Sequence, residues 1–267
     1  MLDLEDRAMT DGDTLAETAA IVDNDGASAW HGAVDIARNR AEIDADPLIP
    51  DYLKEVYYWA YLDPRNVRLL DREIIVKLIL WYQHEKLQRA AFSELAPGQK
   101  VLQPASVYGD FSLNLARHLG PDAGLEILDI APIQVLGCRE KTAHLPQVRV
   151  NRGNAANLGD RVYDAICCYF LLHEVPLEYK YTIVQEMLDH VRPGGKVVFV
   201  DYHEPHWAHP LRPITSLVFN RLEPFAKELW RHSIEELAEG DPRFGWRQQS
   251  FFGGLFQKVV AQRSETR

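Results

Sequence analysis

The sequence predicts an α/β fold in which helices cover both faces of a mostly parallel sheet. From Gly98 onward, short apolar runs alternate with amphipathic ones, which is typical of repeated strand–helix–strand units. One run, Tyr163 to Leu172, is apolar except for Asp164, as expected of a strand that is buried on both faces. Two runs that flank Gly253-Gly254 predict a final antiparallel β-hairpin.

Three regions differ in character along the chain. Residues 1–48 are acidic, small and poorly periodic, so we expect a flexible or loosely docked segment. Residues 49–97 carry apolar side chains at helical spacing, and Pro64 divides them into two predicted helices that form an N-terminal cap. Residues 98–264 contain the predicted sheet, with a cap insertion around 203–240.

The elements of the sheet domain follow one another at short intervals. The strands before the hairpin are predicted at Val101-Leu102, Leu125 to Leu128, Val148 to Val150, Tyr163 to Leu172 and Lys196 to Val200. The helices between them are predicted at Phe111 to Leu119, Ile133 to Thr142 and Leu177 to Leu188. Pro193-Gly194-Gly195 predicts a turn before the last of these strands. The hairpin strands are predicted at Gly245 to Ser250 and Phe256 to Ala261.

Composition narrows the class of protein. The 267 residues, 46% hydrophobic and 25% charged, indicate one soluble globular domain with appendages. No run approaches the ~20 apolar residues that span a bilayer, and no signal peptide is apparent, so we expect a cytoplasmic protein. A net charge of −10 without a Lys/Arg cluster argues against nucleic-acid binding. The three cysteines lack the spacing of a zinc site or disulfide framework, which predicts buried thiols.

The ends of the predicted strands carry the candidate cofactor site, since ligands of open α/β sheets bind there. Asp129 ends the second strand twenty residues after Gly109, where a carboxylate accepts hydrogen bonds from ribose hydroxyls. Asn154 follows the third strand and is placed to reach an adenine amino group. A helix N-cap is the alternative role of Asp129, and a solvated turn that of Asn154. The predicted cofactor-binding residues are Gln103, Ala105, Tyr108, Gly109, Asp129, Ile130, Asn154, Ala155 and Tyr169.

The final hairpin suggests which kind of α/β protein this is. An antiparallel hairpin on a mostly parallel sheet distinguishes class I methyltransferases from dehydrogenases, so we expect a Rossmann-like class I S-adenosylmethionine (SAM)-dependent methyltransferase fold. The order of the segments resembles that of the ubiquinone/menaquinone C-methyltransferases. Val191-Arg192-Pro193-Gly194-Gly195-Lys196 and Asp201 add to that resemblance.

A closer resemblance is to the RquA family of rhodoquinone biosynthesis enzymes, over about residues 51–262. The segments that carry it are Tyr57-Tyr58-Trp59-Ala60-Tyr61, Val107-Tyr108-Gly109-Asp110, Phe170-Leu171-Leu172-His173-Glu174, Asp201-Tyr202-His203-Glu204-Pro205, His209-Pro210-Leu211-Arg212 and Leu222-Glu223-Pro224-Phe225. The resemblance implies a manganese-dependent reaction in which SAM donates its amino group to ubiquinone, giving rhodoquinone. It also implies a lipid quinone substrate and contact with the inner face of the cell membrane.

The loop after the first strand departs from the methyltransferase pattern Asp-x-Gly-x-Gly-x-Gly. Those positions hold Gln103, Ala105, Val107 and Gly109, so only the last glycine remains. The bulk and β-branching of Val107 predict that the methionine end of SAM lies differently from its place in a methyltransferase. Loss of cofactor binding is the alternative.

Amino transfer would make the α-amine of SAM the nucleophile, which requires that it lose a proton; its pKa in peptides is ~7.7–8. A divalent metal on a quinone oxygen would make the ring carbon electrophilic. Manganese prefers carboxylate and imidazole ligands, and the predicted metal ligands are Asp110, His173 and Glu174. Their alternatives are a first-turn helix acid for Asp110 and local hydrogen bonding for the other two. The predicted catalytic residues are Tyr58, Asp110, His173, Glu174, Asp201 and His203.

Tyr57, Tyr58 and Tyr61, with Trp59, supply ring faces and hydroxyls for a quinone pocket; packing of a helix face on the sheet is the alternative. The apolar helices from Tyr52 to Tyr82 are suited to an isoprenoid tail at a membrane surface. Two other functions remain open: a conventional methyltransferase acting on a quinone or another small aromatic compound, and a non-catalytic quinone-binding protein with this fold.

Overall fold

The computed structural model describes residues 40–265 and places seven strands in a single sheet. The strands are β1 (Lys100–Gln103), β2 (Gly124–Asp129), β3 (Val148–Arg152), β4 (Tyr163–Tyr169), β5 (Val191–Tyr202), β6 (Phe244–Phe251) and β7 (Phe256–Arg263). Their order is β3-β2-β1-β4-β5-β7-β6; β1 to β5 pair in parallel, and β7 is antiparallel to both β5 and β6. The predicted parallel sheet with a final hairpin is confirmed.

Helices precede the sheet, connect its parallel strands and fill the insertion before the hairpin. They are α1 (Arg40–Ala45), α2 (Asp51–Glu55), α3 (Pro64–Leu70), α4 (Glu73–Ile79), α5 (His84–Phe92), α6 (Phe111–Leu119), α7 (Pro132–Thr142), α8 (Leu177–Asp189), α9 (Arg212–Leu222) and α10 (Ile234–Leu237). Shorter helical turns are Tyr58–Leu62, Leu172–Glu174, Ala226–Trp230 and Phe252–Gly254. None of the helices within residues 40–265 is long and apolar enough to cross a membrane.

Alternating side chains of β4 enter two different apolar cores, one on each face of the sheet. Ala165, Cys167 and Tyr169 belong to one core, whereas Ile166 and Cys168 belong to the other. This double burial explains why the strand is apolar at every position from Ala165 onward. Cys138, Cys167 and Cys168 are free and buried, as predicted.

The N-terminal cap differs from the two helices that the sequence predicts, because it is divided into four short helices, α2 to α5, and one helical turn. Pro64 begins α3 rather than only ending the preceding run, since the first helical position needs no N–H partner. The Asp63 side chain accepts a hydrogen bond from the Arg65 N–H and so caps that helix. Trp81 and Tyr82 adopt left-handed backbone angles, φ 49° and 58°, which separate α4 from α5.

Two strand boundaries also differ from their predictions. β4 ends at Tyr169 because Phe170 has a φ of 53°, and a helical turn then begins at Leu172. The predicted turn at Pro193-Gly194-Gly195 lies within β5 as an irregularity, where the pairing with β4 shifts register. A Cβ atom at Gly195 would lie 2.5 Å from the Asp164 carbonyl oxygen, so this position has no room for a side chain.

The segment predicted to be loosely docked, residues 1–48, is described only from residue 40. There α1 packs through Ile43, which is 4% exposed, against a small core that includes Leu53 and Tyr57. The rest of that prediction lies outside the described residues. The insertion around 203–240 contains α9, a helical turn and α10.

Candidate functional site

Two cavities lie at the carboxyl ends of the parallel strands. The smaller, about 580 Å³ including its opening, is lined at the ends of β1, β2 and β3 by Pro104, Ala105, Asp129, Ile130, Asn154 and Ala155. The larger, about 850 Å³ including its opening, is lined by side chains that include Val76, Phe111, Tyr169, Phe170, His173 and Tyr202. Tyr61, Ser106 and Glu174 line both cavities, so the two share a wall.

Asp129 ends β2 with its carboxylate in the smaller cavity. One oxygen accepts a hydrogen bond from the Ser106 N–H at 2.9 Å, and the other accepts one from the Ala131 N–H at 2.8 Å. Burial raises the pKa of Asp129 to about 7, and the backbone donors oppose that rise. Asp129 is not the helix N-cap, which is Ala131. Each carboxylate oxygen retains a second acceptor direction for a ligand hydroxyl.

Asn154 lies in the smaller cavity within a tight turn. Its side-chain oxygen accepts a hydrogen bond from the Ala156 N–H at 2.9 Å, and its backbone bridges to Asn157. Asn154 therefore forms the turn that is the alternative role expected from the sequence. The same oxygen has a second lone pair, so turn formation and an adenine contact are compatible.

The predicted cofactor-binding residues divide between the two cavities. Those that line the smaller one are Ala105, Asp129, Ile130, Asn154 and Ala155. Tyr108 and Tyr169 line the larger cavity instead. Gln103 and Gly109 do not line either; the Gln103 side chain is fully buried and donates to the Ala105 carbonyl at 2.8 Å.

The end of the loop after β1 is fixed by an ion pair from elsewhere in the chain. The Asp71 carboxylate accepts a hydrogen bond from the Gly109 N–H at 3.0 Å, and Lys141 pairs with the same carboxylate. Lys141 also donates to the Gly109 carbonyl at 3.0 Å. The Gly109 N–H is therefore occupied by this chain's own carboxylate rather than open to a ligand. Val107, in place of a glycine, lines the larger cavity.

The larger cavity is mostly apolar but holds unpartnered polar atoms. Tyr169, His84 and Glu223 all line it. The Tyr169 hydroxyl and the His84 Nδ1 atom are buried without a hydrogen-bond partner among the described residues, and the Glu223 carboxylate lies beside the Tyr57 hydroxyl. An apolar cavity with a few polar side chains is typical of a site for a small, mostly apolar ligand. Burial lowers the pKa of His84, which favours its neutral form.

His173, Glu174 and Asp201 form one hydrogen-bonded group at the ends of β4 and β5. Asp201 accepts from His173 Nδ1 at 2.9 Å and from the backbone N–H groups of Leu172 and His173. The other ring nitrogen, Nε2, lies 3.6 Å from a carboxylate oxygen of Glu174. Burial disfavours the imidazolium, but Asp201 and Glu174 outweigh it and raise the pKa of His173 to about 9.

Glu174 lies in the wall between the cavities and receives a hydrogen bond from the Tyr61 hydroxyl. Burial raises the pKa of Glu174 to about 8; the charge of His173 opposes the rise and that of Glu223 adds to it. A carboxyl group with such a pKa exchanges protons near neutral pH, which suits a general acid or base.

The tyrosines of the cap have three different environments. Tyr57 is fully buried among apolar residues, which is the packing alternative that the sequence leaves open. Tyr58 packs under the Arg40 guanidinium, 4.2 Å from its ring centroid, and does not line either cavity. Tyr61 lines both cavities and stacks on Tyr108 with ring centroids 5.7 Å apart.

The predicted manganese ligands do not converge. Asp110 is exposed at the N-cap of α6 and does not line either cavity. His173 and Glu174, in contrast, both line the larger cavity. Within residues 40–265, no three His, Cys, Asp or Glu side chains are placed to hold a metal ion. His203 is also outside the cavities, with its Nδ1 atom 2.9 Å from the Gly254 carbonyl oxygen. The described donor set therefore does not fit the expected metal.

Glu223 and His84 are ionisable residues of the larger cavity that were not among the predicted site residues. Glu223 reaches the larger cavity from the end of α9, and His84 reaches it from the start of α5. Glu223 belongs to the segment Leu222-Glu223-Pro224-Phe225, and its only signal in the sequence is the resemblance of that segment to the RquA family. His84 stands alone in an amphipathic helix, so no local pattern distinguishes it from a structural histidine.

Comparisons with known proteins agree with this geometry. Residues 101–195 match a family model described as a methyltransferase domain. A demethylmenaquinone methyltransferase from Bacillus cytotoxicus is 26% identical over 190 residues, which cover 68% of this chain and 76% of that protein.

Solved structures agree in fold. An O-methyltransferase family protein from Burkholderia thailandensis has a TM-score of 0.61 at 12% identity, over 91% of this chain and 72% of that one. A SAM-dependent methyltransferase from Aquifex aeolicus has a TM-score of 0.54 at 18% identity, over 75% and 98% of the two chains. The chain thus has the class I SAM-dependent methyltransferase fold, and its sequence is similar to that of demethylmenaquinone methyltransferases.

Proposed function

We propose that this protein is a SAM-dependent transferase that acts on the ring of a lipid quinone. The adenosine part of SAM would occupy the smaller cavity, with its ribose on Asp129 and its adenine near Asn154. The quinone ring would occupy the larger, mostly apolar cavity. This arrangement brings the sulfonium end of SAM and the quinone together at the shared wall.

The observation that carries the proposal is the position of Glu174 in that wall. Transfer of a methyl group to a ring carbon requires removal of a ring proton, and amino transfer requires removal of a proton from the α-amine of SAM. Glu174, with its pKa raised to about 8, would accept either proton. The imidazolium of His173, held by Asp201, would stabilise the carboxylate before that transfer.

For the group transferred, we propose the amino group, with ubiquinone as acceptor and rhodoquinone as product. The α-nitrogen of SAM would bond to a ring carbon whose methoxy group leaves as methanol, and the Cα–N bond of SAM would break with loss of a Cβ proton, leaving an alkene on the former methionine chain. Two features favour this over conventional methyl transfer: Val107 replaces a glycine in the loop after β1, and Asp71 occupies the Gly109 N–H. Both would displace the methionine end of SAM, and with it the α-amine. Because the described ligand set does not fit manganese, no step is assigned to a metal.

Conventional methyl transfer is the second candidate, favoured by the similarity to a demethylmenaquinone methyltransferase. A non-catalytic quinone-binding protein is the third. The polar groups around the cavities count against it, because a protein that only binds quinone needs no carboxyl group whose pKa is raised to about 8.

The experiment that separates these functions is incubation of the purified protein with SAM and ubiquinone, with and without manganese, followed by mass spectrometry. An aminoquinone that carries nitrogen from ¹⁵N-labelled SAM is the expected product. A parallel incubation with reduced demethylmenaquinone, whose ring has an unsubstituted carbon, tests conventional methyl transfer, and a C-methylated product would establish it. Absence of any product, while calorimetry still shows SAM and quinone binding, would favour the non-catalytic quinone-binding protein.

A further inference from the structure

Helix α4 (Glu73–Ile79) is an apolar helix that lies on the surface. Five of its seven residues are Ile, Val or Leu, yet none of the seven is buried. Ile74 and Leu78, one turn apart, are 53% and 50% exposed, and Tyr82 just beyond the helix is 63% exposed. Exposed apolar surface that is grouped in this way marks contact with another molecule or with a membrane.

This exposed face adjoins the mouth of the larger cavity. Ile79 and Trp59 both line the cavity, and both are substantially exposed, at 46% and 37%. Side chains that line a cavity and also face solvent mark its opening. The apolar face of α4 therefore continues directly into the apolar cavity.

The segment that contains this helix has a charge opposite in sign to that of the whole chain. Residues 64–92 carry six Lys or Arg and three Asp or Glu, whereas the chain has a net charge of −10. Five of those basic side chains are exposed: Arg65, Arg68, Arg72, Lys86 and Arg89. An apolar stripe with basic neighbours is complementary to an anionic lipid surface.

We propose that α4 docks this protein on an anionic bilayer. Ile74, Leu78 and Tyr82 enter the interfacial layer, and the neighbouring basic side chains face the lipid headgroups. A second copy of the chain is a poorer partner for this face, because two surfaces of the same positive charge repel each other. The inference rests on the proposed function in one respect: the isoprenoid tail of the quinone would pass from the cavity mouth into the lipid.

The test is flotation of the full chain with vesicles of phosphatidylcholine alone or mixed with phosphatidylglycerol. We expect binding to the mixed vesicles, weakened by added salt. Leu78→Ser should reduce that binding about tenfold, because a half-exposed leucine would lose its burial in lipid. Ile74→Ser combined with Leu78→Ser should reduce it further.

Val162→Ser is the matched control. Val162 is 51% exposed, close to the value for Leu78, but it directly precedes β4 and so lies at the amino ends of the parallel strands, away from the cavities. Its substitution should leave vesicle binding unchanged. Equal binding by Leu78→Ser and Val162→Ser, or failure of the unaltered chain to bind mixed vesicles, would overturn the proposal.

Two further measurements separate this inference from the proposed function. Leu78 does not line either cavity, so Leu78→Ser should bind SAM normally and turn over a short-chain quinone in solution. If the unaltered chain binds vesicles but not SAM, the proposed function fails and the docking surface stands. A dimer in sedimentation velocity that Leu78→Ser dissociates would assign the face to a second copy and overturn lipid docking.

Discussion

The smaller and larger cavities share a wall but are assembled from different parts of the chain. Many of the residues that line the smaller one directly follow β1, β2 or β3 in sequence. The larger cavity is lined by α4, by the ends of β4 and β5 and by Glu223 after α9, which are separated by up to about 150 residues. The comparison shows that one site is fixed locally by the strand ends, whereas the other depends on how distant segments pack.

The two cavities also differ in how they hold a carboxyl group. Asp129 is held by backbone N–H donors, which any sequence provides at a strand end. Glu174 is held by side chains, the Tyr61 hydroxyl and the nearby His173 ring, which only this packing provides. Binding is therefore expected to depend on the first carboxyl group and chemistry on the second.

The sharpest test of that division is Glu174→Gln. We expect turnover to fall by about 10²–10⁴-fold, because glutamine keeps the shape of the side chain but cannot accept the proton. SAM affinity, measured by calorimetry, should stay close to that of the unaltered protein. Glu178→Gln, an exposed neighbour in the first turn of α8, is the control. Full turnover by the Glu174 variant would remove this residue from the mechanism.

Asp129→Ala tests the other cavity. Loss of a buried hydrogen bond to ribose should weaken SAM binding by ~1–3 kcal/mol, measured by calorimetry. Because Asp129 also holds two backbone N–H groups, Asp129→Asn provides a second variant that preserves more of the loop. Asp122→Ala, in the exposed turn before β2, is the control. Unchanged SAM affinity in both Asp129 variants would contradict the ribose contact.

The pH dependence of turnover sharpens the role of Glu174 further. Its ionised form is the base, so kcat/KM should rise about tenfold from pH 7 to above the pKa of about 8. The effect on stability has the opposite sign. Folding favours the protonated carboxyl, so this stabilisation is complete below the unfolded pKa of ~4.3 and is lost as pH rises through about 8. The thermal stability of Glu174→Gln should not fall over that pH range. If the stability of the variant and of the unaltered protein depended on pH in the same way, the raised pKa of Glu174 would be refuted.

Glu223→Gln should produce the smallest change in turnover. It tests whether the insertion influences Glu174 in the shared wall. Its charge contributes to the raised pKa of Glu174, so its removal should move the midpoint of the kcat/KM profile to lower pH. The KM for the quinone should rise because Glu223 lines the larger cavity, while SAM affinity stays the same. Glu235→Gln, exposed on α10 of the same insertion, should leave the profile in place.

Local sequence predicted most of the sheet domain. Helix α6 has the predicted boundaries, and the other strands and helices of this domain begin or end within a few residues of them. It also placed Asp129 and Asn154 at the strand ends that line the smaller cavity. These features depend on alternation of apolar residues and on neighbours in sequence, which can be recognised without knowing the fold.

The N-terminal cap was predicted less well, because its helices end where individual backbone angles reverse. Nothing in the sequence around Trp81 and Tyr82 demands positive φ, since neither is glycine or asparagine. The break separates α4, which has no buried residue, from α5, which packs against β5 and β7. The cap therefore contains four short helices and a helical turn where the apolar period predicted two helices.

The sequence by itself determined the α/β architecture and the acidic end of β2, since both follow from the period of apolar residues and the order of the strands. Only the tertiary structure decided that Glu174 joins His173, Asp201 and Tyr61, and that Asp110 lies apart from them. Side chains from β4, β5 and the cap meet because a sheet brings parallel strand ends to one edge. Which of them become buried, and hence which pKa values shift, depends on the segments that cover that edge.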